Sequence, residues 1–257
     1  MNNDDNKLQP AWAQLLKDAT KVPGMISQAF RAFHHYSIGN QVLAMFQCMA
    51  RGLMVGPIDT YMGWKAKGRQ VRKGEKALVL CMPITRKIKA KADEDEDKVF
   101  TQFIFRPNWF VLSQTDGDDI VPEPIPGWDK AKALQCLELQ EVPFAMADGN
   151  CLGYARRKEV AVNPLAQNHF KVLFHEMAHI LLGHTKEGEM VDSADISHNL
   201  CEAEAEAVAL LLGGTLGLPG EEVSRGYIQS WYGKSDIPEK SAQRIFKVAD
   251  QILKAGQ

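Results

Sequence analysis

"VLFHEMAHILLGH", residues 172–184, sets three histidines and a glutamate in an otherwise apolar run. Val172, Leu173, Phe174, Met177, Ala178, Ile180, Leu181 and Leu182 make a helix that is apolar almost all round, the mark of a buried helix. Two histidines and a glutamate in that setting are costly unless they are satisfied. His175-Glu176-Met177-Ala178-His179 reads H-E-x-x-H. Residues i and i+4 share a helix face, so both histidines can aim a ring nitrogen at one cation. Glu176, rotated by about 100° on the helix, leans toward the remaining coordination position, where it can take a proton from water. The competing reading is a core histidine pair bonded to backbone or carboxylate.

A catalytic zinc needs a third protein ligand. The long-spaced version of the motif would require Gly at 182 and His at 185, but the chain has Leu182 and Thr185. His184 lies off the metal face and is expected to sit at the helix end, where a cation is favoured. His198 is a further candidate ligand, but it falls in a polar loop. "CEAEAEAVALLL", residues 201–212, is Ala-rich and reads as a helix despite its alternating glutamates. Cys201, Ala205, Val208 and Leu212 form one stripe on it, and Glu204 lies at that stripe's edge. An inward carboxylate needs a cation, so Glu204 is the expected third ligand, with Glu202 and Glu206 as the alternatives. Zn2+ is the default cation for two imidazoles and a carboxylate, and Mn2+ or another divalent ion fits the same donors.

Outward from this helix pair, the C-terminal part reads as a helix near 129–140, a hairpin in "CLGYARRKEVAVNP", a loop at 185–197, and further helices in "EEVSRGYIQSWYG" and "SAQRIFKVADQILKA". "TDGDDIVPEPIPGW", residues 115–128, is rich in Pro, Gly and Asp and reads as a connector. Before it, "AWAQLLKDA" and "MISQAFRAFHHYSIGNQVLAMFQCMARG" read as two helices, the second stopped by Gly52. "KALVLCMPIT" and "VFTQFIFRPNWFVL" read as strands, the latter broken at Pro107. The charged "RKIKAKADEDEDK" between them is expected to be a hairpin tip. The fold class is therefore α+β: a mixed α/β domain over residues 1–118 joined to a mainly helical domain with a small sheet over 119–257. A chain of 257 residues has room for both.

The charge is divided unevenly. Residues 1–89 carry 14 Lys and Arg against 5 Asp and Glu, whereas the whole chain has 30 against 32. A basic block of this kind suits a polyanion or a solvated face. Within it, "YMGWKAKGRQVRKGEKALVL" interleaves Tyr61 and Trp64 with Lys65, Lys67, Arg69, Arg72, Lys73 and Lys76. Aromatics for base stacking beside cations for phosphate suit single-stranded nucleic acid. Tyr36 and Asn40 of "FHHYSIGNQ" add polar groups on a helix leading into this region. The competing reading makes Trp64 a core residue and "RKGEK" an ordinary turn. Five cysteines without a C-x-x-C pair, and a polar acidic N-terminus, point to free thiols and a cytoplasmic protein. No apolar run reaches the ~18 residues of a membrane span.

"FHHYSIGNQVL", "GWKAKGRQVRKGEKALVL" and "FVLSQTDG" resemble the N-terminal DNA-binding domain of the ArdC-type antirestriction proteins. "FHEMAHILLGHT" with "EAEAEAVALLL" resembles that family's C-terminal metallopeptidase-like domain, akin to ImmA/IrrE-type zinc peptidases. The resemblance spans roughly residues 25–215 in order. It implies a single-stranded-DNA-binding domain joined to a gluzincin-like domain, and a role in protecting incoming mobile-element DNA from restriction. It also implies ligands at His175, His179 and a glutamate of "EAEAEAVA", with Glu176 as the active-site acid/base. The acidic insert "KAKADEDEDK" departs from the pattern near the presumed DNA face. The implied partners are single-stranded DNA, with double-stranded DNA second, and a protein substrate such as a restriction enzyme or another DNA-bound protein. Two other functions fit the residues: a DNA-binding shield whose metal site is not proteolytic, and a regulatory metallopeptidase that cleaves a repressor.

Overall fold

The structure is a computed structural model that describes residues 11–88, 98–145, 151–185 and 198–257. In chain order its elements are α1 (Trp12–Ala19), α2 (Met25–Phe33), α3 (Ile38–Arg51), β1 (Ile58–Thr60), α4 (Tyr61–Ala66), β2 (Arg69–Val71), β3 (Leu78–Ile88), β4 (Lys98–Val111) and β5 (Thr115–Gly117). There follow α5 (Lys130–Cys136), β6 (Gln140–Glu141), β7 (Gly153–Arg156), β8 (Glu159–Val162), α6 (His169–Leu182), α7 (His198–Leu216), α8 (Glu221–Tyr232) and α9 (Glu239–Gly256). The fold is α+β, with three small sheets among the described residues. The described residues form two compact units: those of 43–122, and those of 11–42 with 123–257. The division after residue 122 falls inside the expected connector. The helices of residues 11–42 belong to the second unit, not to the first.

In the first unit, β4 lies between β1 and β3, antiparallel to both. Pro107 does not break β4. It pairs opposite Val79, and the register shifts between Leu78 and Val79, so the missing proline N–H falls at a bulge. Gln47 of α3 closes that edge, accepting from the Val79 N–H at 2.8 Å and donating to its carbonyl at 2.8 Å. Leu78, Leu80, Val111 and Trp64 are buried here. β2 and β5 form a separate two-stranded ribbon. β3 and β4 pair as far as Ile88 and Lys98. The hairpin tip expected between them lies outside the described residues, as does most of the expected loop at 185–197.

The second unit is built around α7. Ala203, Ala205, Ala207, Val208, Leu210, Leu211 and Leu212 are all buried, so this helix has no solvent face along that length. Each leucine removed from water stabilises the unit by roughly 1.5–3 kcal/mol. Helices α2, α6, α8 and α9 pack around α7. The strands form the order β6-β8-β7, with β6 parallel and β7 antiparallel to β8. The sequence from 25 to 51 is two helices, not one: the Tyr36 N–H bonds to the Phe33 carbonyl in a turn, and the Gln41 side chain donates to the Tyr36 carbonyl at 2.7 Å, holding the corner. Among the described residues no helix is long and apolar enough to cross a membrane. All five cysteines are unpaired thiols.

Candidate functional site

Helix α6 carries H-E-x-x-H against α7, and the i, i+4 spacing does what the pattern predicts. The Nε2 atoms of His175 and His179 stand 3.0 Å apart. Glu202, in the first turns of α7, brings one carboxylate oxygen to 3.3 Å from His175 Nε2 and the other to 3.5 Å from His179 Nε2. Donors each about 2.0–2.1 Å from one ion lie about 3.0–3.4 Å from one another, so this set matches a divalent cation's bite. Among the described residues, His175, His179 and Glu202 form the group that could hold a metal.

The expected third ligand, Glu204, is not in that group. It is fully buried, and its carboxylate accepts from His184 Nε2 at 2.8 Å. A helix buried all round offers no wheel stripe that separates an inward glutamate from an outward one. Glu202 and Glu206 lie one turn apart on the face toward α6, while Glu204 points elsewhere. Glu206 takes the other nitrogen of His175, with Nδ1 3.0 Å from its carboxylate, and pairs with Lys171 at 2.8 Å.

His184 reaches the site because of a turn that the i, i+5 spacing from His179 does not reveal. Gly183 has φ +82°. The Gly183 N–H bonds to the Ile180 carbonyl, and the His184 N–H to that of His179. This is the Schellman arrangement of a helix end. It folds residue 184 back over the last turn and sets its Nδ1 3.0 Å from His179 Nδ1. His184 is thus at the helix end as expected, but it also joins the site.

Glu176 is 8% exposed. Burial pushes its carboxyl up to about 7, assisted by the Glu202 charge and opposed by His175. A group poised near neutrality suits proton transfer. Gly153 of β7 makes room for it: a side chain at 153 would meet Val172 at 2.6 Å and the Glu176 carboxylate at 3.0 Å. Burial disfavours a charged His175, but hydrogen bonds to Glu202 and Glu206 outweigh it and hold its pKa up to about 9. Glu206, buried but paired with His175 and Lys171, is pulled down to about 2.

These shifts give a pH dependence for the metal-free chain. His175 and Glu176 both have folded pKa values raised above their ordinary 6.5 and 4.5. A raised pKa adds stability that is present below the unfolded value and lost as pH rises through the folded one. The melting temperature in excess chelator is therefore expected to fall between pH 6 and pH 9. A melting temperature that climbs across that window would contradict the arrangement.

The residues expected to bind DNA are only partly placed on one surface. Trp64 is buried at 1% exposure, and its indole N–H donates to the Phe110 carbonyl at 2.8 Å. It is a core residue and cannot stack on a base. Arg69 is spent on the ribbon, donating to Thr115 Oγ1 at 2.8 Å and to the Gly117 carbonyl at 2.9 Å. Arg72 pairs with Glu75 at 2.9 Å and Asp116 at 3.3 Å, and Lys67 with Asp59 at 3.0 Å. Lys65, Lys73 and Lys76 are exposed and have no ion pair among the described residues. Tyr61, at 47% exposure, and Phe103, at 66%, are exposed aromatics of this unit, and Tyr61 adjoins exposed Met62 in the chain. Tyr36 and Asn40 belong to the second unit, where Tyr36 lines a cavity of about 360 Å³ with His34, His35 and Lys254.

The chain is similar to known proteins in two ways. Residues 6–108 match the family model of the N-terminal domain of anti-restriction factor ArdC. Two crystal structures of the antirestriction ArdC protein from the R388 plasmid have a similar fold. The metal-free one is 20% identical with a TM-score of 0.56, covering 96% of each chain. The Mn(II)-bound one is 19% identical with a TM-score of 0.53, covering 96% of this chain and 98% of that one. No curated protein matches the chain.

Proposed function

We propose that this chain, whose residues 6–108 match the family model of the ArdC N-terminal domain and whose fold is ArdC-like over nearly its whole length, is an antirestriction protein that binds single-stranded DNA and carries a metallopeptidase-type centre. The observation that carries this reading is the convergence of His175, His179 and Glu202 beside the buried Glu176. A divalent cation held there supplies Lewis acidity for hydrolysis; the related R388 structure binds Mn(II), and Zn2+ suits the same donors. Glu202 lies between the two ligand rings and completes the donor set. Glu176 holds the proton to be moved. It stays close to the metal-binding face because Gly153 admits its carboxylate. Lys171 and Glu206 keep His175 oriented. The substrate of such a centre would be a protein met on DNA, such as a restriction enzyme. The domain boundary that fits this reading lies within the connector, near residues 118–122.

DNA contact is assigned to the exposed Lys65, Lys73 and Lys76 and to Tyr61 of the first unit. Each phosphate neutralised there releases a counterion, so binding weakens steeply with salt. Replacing Lys73 and Lys76 together with alanine should weaken binding of a labelled single-stranded oligonucleotide at every sequence. It should also reduce the slope of log affinity against log salt by about 1–2 units. Comparing single- with double-stranded oligonucleotide in the same titration tests the strand preference. An unchanged slope would place the DNA surface elsewhere, and no salt-dependent binding at all would favour a regulatory peptidase whose basic unit meets protein.

A further inference from the structure

We infer that Glu204, acting through His184, is a positioning residue that sets the ring tautomer of His179 and so presents its Nε2 to the cation. This rests on the metal reading above, and deepens it. Glu204 is fully buried and its carboxylate Oε2 lies 2.8 Å from His184 Nε2. An ionised carboxylate only accepts, so His184 Nε2 must donate. The buried hydrogen bond and the nearby Arg244, 3.9 Å away, both favour the ionised form. A neutral His184 that donates from Nε2 has a lone pair on Nδ1. That atom lies 3.0 Å from His179 Nδ1, which must then carry the hydrogen. A neutral imidazole has one N–H, so His179 Nε2 is left with its lone pair facing His175 and Glu202. With both rings neutral, each link leaves one choice for the next, and the acceptor-only end decides the last.

The relay explains three features that the ligand set alone does not. It gives a fully buried glutamate a partner, which burial of a charge requires. It gives Gly183 a reason to take φ +82°, because that turn returns His184 to the helix. It also treats the two ligand rings alike, since Glu206 takes the Nδ1 hydrogen of His175 directly at 3.0 Å. Carboxylates or carbonyls behind ligand histidines orient the ring and raise its basicity.

The test uses the full chain with two substitutions at one position. The amide of glutamine has an acceptor and a donor spaced much like the two imidazole nitrogens, so His184→Gln can rebuild the relay, while His184→Leu cannot. Two quantities are measured on wild type and both variants. The first is Mn(II) affinity, from free Mn(II) by electron paramagnetic resonance. The second is the His179 tautomer in the metal-free chain, from long-range proton–nitrogen correlations of labelled histidine rings. His184→Leu should bind Mn(II) about 10- to 100-fold more weakly and lose the pure Nδ1–H form of His179. His184→Gln should stay within about threefold of wild type and keep that form, a rescue that simple loss of packing would not give. Equal affinity in all three proteins, or equal loss in both variants, overturns the inference. So does an Nε2–H tautomer of His179 in wild type. A wild type that takes no divalent cation, yet shows the Nδ1–H tautomer only while position 184 can relay, would sink the metal reading and leave the relay standing.

Discussion

Alanine at His179 is expected to strip the chain of its divalent cation. The ion would lose one of the three side chains that converge on it, leaving His175 and Glu202. Structural zinc sites bind with roughly 10–16 kcal/mol spread over four ligands, so one ligand is worth about 3 kcal/mol, or a loss on the order of 10²–10³-fold. Glu202→Ala should cost a similar factor. Metal content of the purified proteins by plasma emission, after dialysis against a weak chelator, measures both. Undiminished metal in His179→Ala would remove that residue from the ligand set, and undiminished metal in Glu202→Ala would do the same for the carboxylate. The melting temperature of the wild type should rise when the cation is added, because binding to the folded state alone stabilises it by mass action, and this rise should vanish in His179→Ala.

Glutamine at Glu176 is expected to separate metal binding from chemistry. Glu176 is beside the ligand cluster but outside it. The amide keeps the size and polarity of the side chain but cannot take a proton. Metal content should therefore stay within about twofold, while peptide-bond hydrolysis falls by about 10²–10⁴-fold, the usual contribution of a positioned acid or base. Cleavage is read by mass spectrometry on a purified restriction enzyme presented with and without DNA. Hydrolysis equal to wild type would remove Glu176 from the catalytic role. Full protection of DNA by Glu176→Gln with its metal in place would make the protein a shield whose centre is not proteolytic.

Much of the site was legible because local geometry decides it. H-E-x-x-H needs only an α-helix to bring His175 and His179 together, and its apolar flanks ensure that helix and its burial. The choice among Glu202, Glu204 and Glu206 was not legible. Choosing by helical wheel assumes one wet face, and α7 is dry on every side from Ala203 to Leu212. The role of His184 was hidden for a related reason: residues 179 and 184 do not share a helix face, and the Gly183 turn, not the helix, brings their rings together. In the first unit the basic, aromatic composition was plain, but not which members face water. Trp64 and Lys65 are adjacent in sequence, and one is core while the other is exposed. Pro107 likewise read as a strand break because the sequence does not show the bulge opposite it that absorbs the missing N–H.

By itself, then, the sequence determined the helix that carries His175 and His179, the glutamate beside them, the helical glutamate-rich partner, the two long strands of the N-terminal unit and the uneven charge. Each follows from contacts within a few residues, where spacing and periodicity are the geometry. The tertiary structure alone decided that Glu202 meets the histidines, that Glu204 and Glu206 stand behind them, that residues 11–42 pack with the C-terminal unit, and which cations remain exposed. These depend on which faces of separate elements meet, and that is settled by packing between residues far apart in the chain.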